Sequence, residues 1–296
     1  MLEAGQAGDV TTRTDDGFEG TPAEILAIWE SLAAKWHSFG PPWRPSPGDV
    51  GLYGRLAGSR LDGRVLVLGV TPELRDTVAE AGGDAVVLDV SGAMHATATE
   101  LLHRPESAHE QWIQKDWCDA PIPAGEFDLV LGDMIWWAEP VRRQYVLRDA
   151  IHAALKPGGL LVSRFRVSDP ARADENPVSV FGRHLEEIER APETEQVVRG
   201  ALYAWAQDHT ADREHKRFDM PRARAMVLEL ATTPELSRHE EYLRRLADRL
   251  QGPAWTCQSR DELVDILSGR FEVVEEGHAE DYDSSSCPVI AFKPLE

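Results

Sequence analysis

The chain is short of cysteine, of clustered basic charge and of long apolar runs, and each shortage removes a class of protein. Three cysteines occur in 296 residues, Cys118, Cys257 and Cys287. Their odd number and scattered spacing provide neither a disulfide framework nor a metal or redox motif, and they suit a reducing compartment. No stretch is apolar for long enough to cross a bilayer, and no basic-then-apolar leader opens the sequence. A cytoplasmic protein without a membrane partner is therefore expected. Lys and Arg number 31 against 51 Asp and Glu, a formal net charge of −20. Binding along nucleic acid needs clustered cations to neutralise phosphates. The nearest approach to such a run, Leu243 to Leu250, reads as an ordinary solvated helix face, so no nucleic-acid partner is expected.

Hydrophobic residues make up 42% of the chain, enough for one large core or a core with a subdomain. Short apolar runs ending in Gly or Asp occupy the stretch from Arg64 to Phe165. Val65-Leu66-Val67-Leu68 is too short for a helix and apolar on both faces, which suits a central strand covered on both sides. Gly69 follows, where a backbone can turn sharply and a ligand can approach without meeting a Cβ. Thr71-Pro72-Glu73 reads as a helix start, with Thr71 as N-cap and Pro72 at the first helical position. A second apolar run ends on Asp89, twenty residues after Gly69, the spacing that nucleotide-binding βαβ units use to place an acid on ribose hydroxyls. Asp116 follows a third segment, Phe127 to Asp133 forms a fourth, and Ala154 to Phe165 contains a fifth. With helix-length segments between them, these predict a parallel α/β sheet whose carboxyl edge carries ligand groups.

In order and spacing, LGVTPEL after the first strand, DVSGAM after the second, KDWCDAPIPAGEFDLVLGD, and LKPGG before the fifth resemble the class I S-adenosylmethionine-dependent methyltransferases. The closing segment from Phe271 to Pro294 fits the antiparallel strand pair of such sheets, and the resemblance covers roughly half the chain. It implies a seven-stranded, mostly parallel Rossmann-like sheet with helices on both faces and S-adenosylmethionine as cofactor. Gly69, Thr71, Asp89, Val90, Met94, Asp116, Trp117 and Asp133 are the implied cofactor contacts, with Asp116 and Trp117 gripping the adenine amine and ring. One departure stands out: a single glycine, followed by Val70, Thr71 and Pro72, replaces the family's several. Dinucleotide folds use repeated glycines to cradle a pyrophosphate. S-adenosylmethionine has no phosphate, so the departure weakens a nicotinamide reading more than a methyl-donor one.

Residues 61–166 and 259–296 are expected to form this core, residues 1–20 a disordered tail, and residues 21–60 an N-terminal flap. Ile25, Ile28, Trp29, Leu32 and Trp36 make an apolar stripe at helical spacing. The Pro- and Gly-rich segment after it either connects flap to core, with Trp43 packed inward, or closes as a lid in which Trp43 and Tyr53 exclude water. Residues 167–258 show four helical patterns broken near Pro192, Asp212 to Asp219, and Pro234, too much chain for a simple crossover. Similar enzymes insert a substrate cap there, between strands five and six, and Tyr203 is one candidate for lining an acceptor pocket.

Methyl transfer from a sulfonium is an in-line displacement that needs alignment and exclusion of water. A general base is needed only for a neutral or cationic nucleophile. Asp133 is the candidate for the methionine amino group or for the base, and His209 is a second candidate base. Trp136 and Trp137 either wall an aromatic or cationic acceptor or divide between core and cap. Arg164 and Arg166 are placed to clamp an anionic acceptor. No ligand spacing for a metal is evident. The sequence thus predicts a methyltransferase acting on a small molecule, with secondary metabolism as one setting, as a monomer or homodimer. Two alternatives stay open: a non-catalytic module that binds S-adenosylmethionine or S-adenosylhomocysteine, and an NAD-dependent oxidoreductase.

Overall fold

A computed structural model of the chain describes residues 22–103, 110–250, 252 and 254–296. The tail expected over residues 1–20 lies outside the described residues. The described chain opens with α1 (Pro22–Ala33), a 3-10 turn at Trp36–Ser38, and α2 (Pro47–Ala57). Regular structure returns at Pro47 despite the local glycines because Ser46 and Asp49 form a reciprocal capping box. Asp281 adds two bonds to the same helix start, accepting from the Ser46 hydroxyl at 2.7 Å and the Gly48 N–H at 2.9 Å.

The core then alternates strand and helix. Its elements are β1 (Arg64–Leu68), α3 (Pro72–Ala81), β2 (Asp84–Asp89), α4 (Gly92–Glu100) and β3 (Glu110–Gln114). They continue with β4 (Phe127–Asp133), α5 (Val141–Ala154) and β5 (Leu155–Arg164). Four helices come next, α6 (Pro177–Arg190), α7 (Glu195–His209), α8 (Met220–Leu230) and α9 (Glu240–Ala247), broken where the pattern predicts. Two short strands, β6 (Arg217–Phe218) and β7 (Trp255–Thr256), pair within this region. The chain closes with α10 (Arg260–Ser268), β8 (Phe271–Gly277) and β9 (Val289–Pro294).

The main sheet has seven strands in the order β3-β2-β1-β4-β5-β9-β8. The first five pair in parallel, and β9 runs antiparallel between β5 and β8. Consecutive strands therefore leave β1 in opposite directions, to β2 on one side and to β4 on the other. A crevice opens at that switch, outside the carboxyl ends of the strands. Alternate residues of β1 enter different cores: Val65 and Val67 pack with α2 to α4, while Leu66 and Leu68 pack with α5 and α10. A third apolar cluster joins α6 to α9 and is touched from the flap by Trp29 and Trp43. Among the described residues, no helix is long and apolar enough to cross a membrane.

Candidate active site

Gly69, directly after β1, has φ +88°, and its N–H donates to the Leu88 carbonyl at 2.9 Å. A Cβ there would come no nearer than 3.9 Å to Trp117, so the backbone conformation, rather than crowding, requires glycine. Thr71 occupies the N-cap position of α3, yet its side chain makes no cap hydrogen bond. At the end of β2 the Asp89 carboxylate accepts from the Ser91 N–H at 2.7 Å, and Ser91 in turn caps α4. Burial pushes the Asp89 carboxyl up to about 6, opposed by the Ser91 and Val90 N–H groups and helped by the nearby Asp116 charge.

Trp117 donates its indole N–H to Leu88 O at 2.8 Å, which holds its ring beside Gly69. Asp133 ends β4, and Met134 then turns with φ +55°, an uncommon conformation for a side chain of that size. Gly69, Thr71, Asp89, Met94, Trp117, Asp133 and Trp137 line one cleft at the sheet edge. Its remaining walls include Trp29, Trp36 and Trp43 from the flap. The indole N–H groups of Trp36 and Trp137 are buried without a hydrogen-bond partner. Such donors are costly to leave unpaired, and a polar ligand in the cleft would satisfy them. The sequence signal for the flap's part in this wall is the seven-residue spacing of Trp29, Trp36 and Trp43, of which the first two read as part of an apolar stripe and the third as either a packing or a lid residue.

Several expected contacts lie elsewhere. Arg164 is fully buried: its Nε lies 2.7 Å from Asp133 Oδ1, its Nη1 2.7 Å from Asp49 Oδ2, and its Nη2 donates to the Pro42 carbonyl at 2.9 Å. With two carboxylates already on it, it does not clamp an acceptor. Arg166 is likewise buried, 3.1 Å from Asp208, bonded to Ala204 O at 3.0 Å, and stacked over Phe218. Tyr53 is no lid residue either. Its hydroxyl donates to Gly132 O at 2.7 Å and accepts from the Arg164 N–H at 2.8 Å, fastening α2 across β4 and β5.

Trp136 packs in the core beneath the sheet with Phe165, while its neighbour Trp137 faces the cleft and stacks on Trp255 at 4.3 Å. His209 stacks on Trp205 at 4.5 Å with Nδ1 2.8 Å from the Arg172 carbonyl, and it does not border the cleft. Tyr203 lies behind Trp43, with the ring centroids 4.7 Å apart. Val90 is beside the cleft without lining it, and its carbonyl accepts from Gln114 at 3.2 Å.

Asp116 also departs from expectation. It accepts from Arg143 and from the Cys118 N–H, and it does not line the cleft. Ligand atoms of Asp116, Cys118 and Glu139 lie within 4.8 Å of one another, a spacing that could hold a cation. The Arg143 guanidinium, bonded to both carboxylates, already supplies the positive charge there. Burial raises the Glu139 carboxyl to about 7, against the pull of Arg143.

Sequence reasoning missed Asp49 and Tyr282, which meet Arg164 from residues far apart in the chain. Burial pushes the Asp133 carboxyl up to about 6, opposed first by the Arg164 charge and then by its hydrogen bonds. Both oxygens of that carboxylate are held by the Arg164 guanidinium, which fixes it as a wall of the cleft.

Comparison with curated protein sequences gives no match. Among solved structures, similarity extends to a protein described as a zinc-dependent alcohol dehydrogenase from Rhodobacter sphaeroides, at 18% identity and TM-score 0.55, covering 94% of this chain and 100% of that one. It extends also to the N-methyltransferase NodS from Bradyrhizobium japonicum WM9 with S-adenosyl-L-homocysteine, at 13% identity and TM-score 0.51, covering 92% and 100%. A DhpI–SAM–HEP complex is 17% identical with TM-score 0.53, covering 93% of this chain and 100% of that one. At such identities these three show a shared fold and no more. Residues 70–159 match the family model described as a methyltransferase domain. Over residues 70–159 the chain thus resembles a methyltransferase domain, carried on a seven-stranded Rossmann-like sheet with its cleft at the switch point.

Proposed function

We propose that the protein transfers a methyl group from S-adenosylmethionine to a small-molecule acceptor. The observation that carries this reading is the convergence of Gly69, Asp89 and Asp133, from three separate strand ends, on one tryptophan-walled cleft. Asp89 would accept from ribose hydroxyls, Met94 and Trp117 would flank the adenine, and the Gly69–Thr71 turn would face the amino-acid end. When bound, S-adenosylmethionine supplies a methyl group activated by a sulfonium.

The chain's own contribution is alignment and dryness. Trp29, Trp36, Trp43 and Trp137 exclude water and present aromatic surface that tolerates a cationic centre. Both Asp133 oxygens are engaged by Arg164, and His209 does not line the cleft, so neither is placed to take a proton from an acceptor there. An acceptor whose nucleophilic atom is already ionised fits such a site. The enclosed space is about 70 Å³, well below the roughly 300–1,000 Å³ of pockets for drug-sized ligands. Entry of the cofactor would therefore require the flap tryptophans to shift outward, which supports a lid in the part of residues 21–60 that precedes α2, while the four helices of residues 167–258 are the candidate substrate cap. All three cysteines are free thiols, consistent with a reducing, cytoplasmic setting.

Isothermal titration with S-adenosylmethionine, S-adenosylhomocysteine and NAD, on the native chain and on Asp89→Ala, tests the proposal. Micromolar binding of the two sulfur ligands, lost in the variant, with none for NAD, is the expected result. Failure of both sulfur ligands to bind the native chain would sink it.

A further inference from the structure

A second cavity lies outside the cleft. It measures about 460 Å³ and lies between the flap and helices α7 and α9. That size suits a small organic ligand. Its floor is apolar, with Leu32, Phe39, Trp43 and Leu246, and its walls carry Lys35, Arg199, Arg245 and Arg249 against two acids, Glu195 and Asp248. Four cations against two carboxylates is a local excess of positive charge on a chain whose net charge is −20.

The acids are partly drawn away. Asp248 pairs with Arg224 outside the cavity at 3.5 Å, and Glu195 is 3.7 Å from Arg199. Arg245 is neutralised by Glu241 at 2.7 Å. Lys35 and Arg249 have no ion-pair partner among the described residues. The Arg249 guanidinium lies over the Phe39 ring, 5.6 Å from its centroid, so it is held at the boundary between floor and opening. Partial burial, and then the neighbouring charge of Arg199, lower the Arg249 pKa, with Tyr242 and Glu195 opposing them less strongly. The Tyr242 hydroxyl in the same wall is buried and has no hydrogen-bond partner.

Trp43 joins this cavity to the cofactor cleft, because it lines both. Its ring also contacts Phe39 at 5.4 Å and Trp137 at 5.6 Å between centroids, making one aromatic partition between the two spaces.

We infer that this cavity binds a small apolar carboxylate, with Arg249 and Lys35 holding the anion and the Phe39–Trp43–Leu246 floor holding its hydrocarbon or aromatic body. Resting on the methyltransferase reading, this is the distal end of the acceptor, whose reactive end passes Trp43 into the cleft. A guanidinium suits a carboxylate because its N–H groups match the two oxygens in one plane.

The test uses the full chain and three matched pairs: benzoate with benzamide, 2-naphthoate with 2-naphthamide, and octanoate with octanamide, each titrated by calorimetry. At least one carboxylate is expected to bind tenfold or more tighter than its amide. Arg249→Gln and, separately, the surface variant Lys35→Gln should each erase most of that preference. Equal binding of acid and amide in all three pairs, or a preference untouched by both substitutions, overturns the inference. Tighter binding of 2-naphthyl phosphate than of 2-naphthoate would reassign the site to phosphate and overturn it as stated. Titration of the same variants with S-adenosylmethionine reports separately on the cleft. Loss of carboxylate preference in the variants with that binding intact is the expected result; no carboxylate preference in a native chain that binds S-adenosylmethionine condemns the cavity alone, whereas absence of cofactor binding by the native chain condemns the methyltransferase reading.

Discussion

Arg164 and Asp133 meet side by side, Nε to Oδ1 at 2.7 Å and Nη2 to Oδ2 at 3.1 Å, with the arginine side chain wholly out of solvent and the aspartate nearly so. Asp49 takes the remaining edge of the same guanidinium. A buried charge is tolerable only when paired, and removing one partner strands the others. Arg164→Met should therefore cost about 3–5 kcal/mol of stability by leaving two buried carboxylates without their cation. Urea unfolding of the two proteins at neutral pH measures it, and a loss under about 1 kcal/mol would contradict the ionic account.

Tyr53→Phe separates a structural tyrosine from a lid residue. The hydroxyl makes two bonds in the core, to Gly132 O and from the Arg164 N–H. Its removal should lower stability by about 1–3 kcal/mol while leaving the affinity for S-adenosylmethionine within twofold. Unchanged stability with weakened binding would return Tyr53 to the lid.

Gly69→Ala should place a Cβ where there is room but in a backbone conformation that disfavours it, φ +88°. The strain is about 1–2 kcal/mol. A shift of the turn to relieve that strain moves the floor of the cleft, so the protein should still fold but bind cofactor at least tenfold more weakly. Circular dichroism and calorimetry together check both halves.

The pH dependence of cofactor binding follows from Asp89. Its carboxyl is raised by burial to about 6 from an ordinary 3.8. A folded value above the unfolded one means that this group's contribution to stability is fully present below 3.8 and is lost as pH rises through about 6. Ribose hydroxyls favour the ionised form, so the binding constant should be flat above pH 6 and weaken by up to about tenfold per unit below it. Asp89→Asn should abolish that slope, and a slope that survives the substitution would assign it to another group.

His209→Ala tests a negative. The ring stacks on Trp205 and bonds a backbone carbonyl away from the cleft. Stability should fall by about 0.5–1.5 kcal/mol, whereas the rate of methyl transfer and its pH profile should match those of the native chain.

Much of the core was readable in one dimension because its determinants are local. The run Val65–Leu68 has no polar residue that could face water, and Asp89 and Asp133 end strands where the pattern places them. The breaks at Pro192 and Pro234 are likewise local, since proline ends helices by its own covalent geometry. The candidate site was legible by position but less so by partner. Arg164 follows a strand as an acceptor clamp would, yet residues more than a hundred positions away in either direction claim it. Trp136 and Trp137 are adjacent in sequence and opposite in fate, because a turn after β4 sends one below the sheet and the other into the cleft.

By itself, then, the sequence determined the Rossmann-like sheet, the glycine turn and the two strand-end acids, since each depends on periodicity, backbone conformation or spacing along a few dozen residues. Tertiary structure alone decided which charges were spent on one another. Ion pairing depends on distance in space, and burial makes an unpaired charge so costly that Asp49, Asp133 and Arg164 must be assigned together. It alone also brought the flap to α7 and α9, forming a cavity with cationic walls that no stretch of this acidic chain displays in sequence.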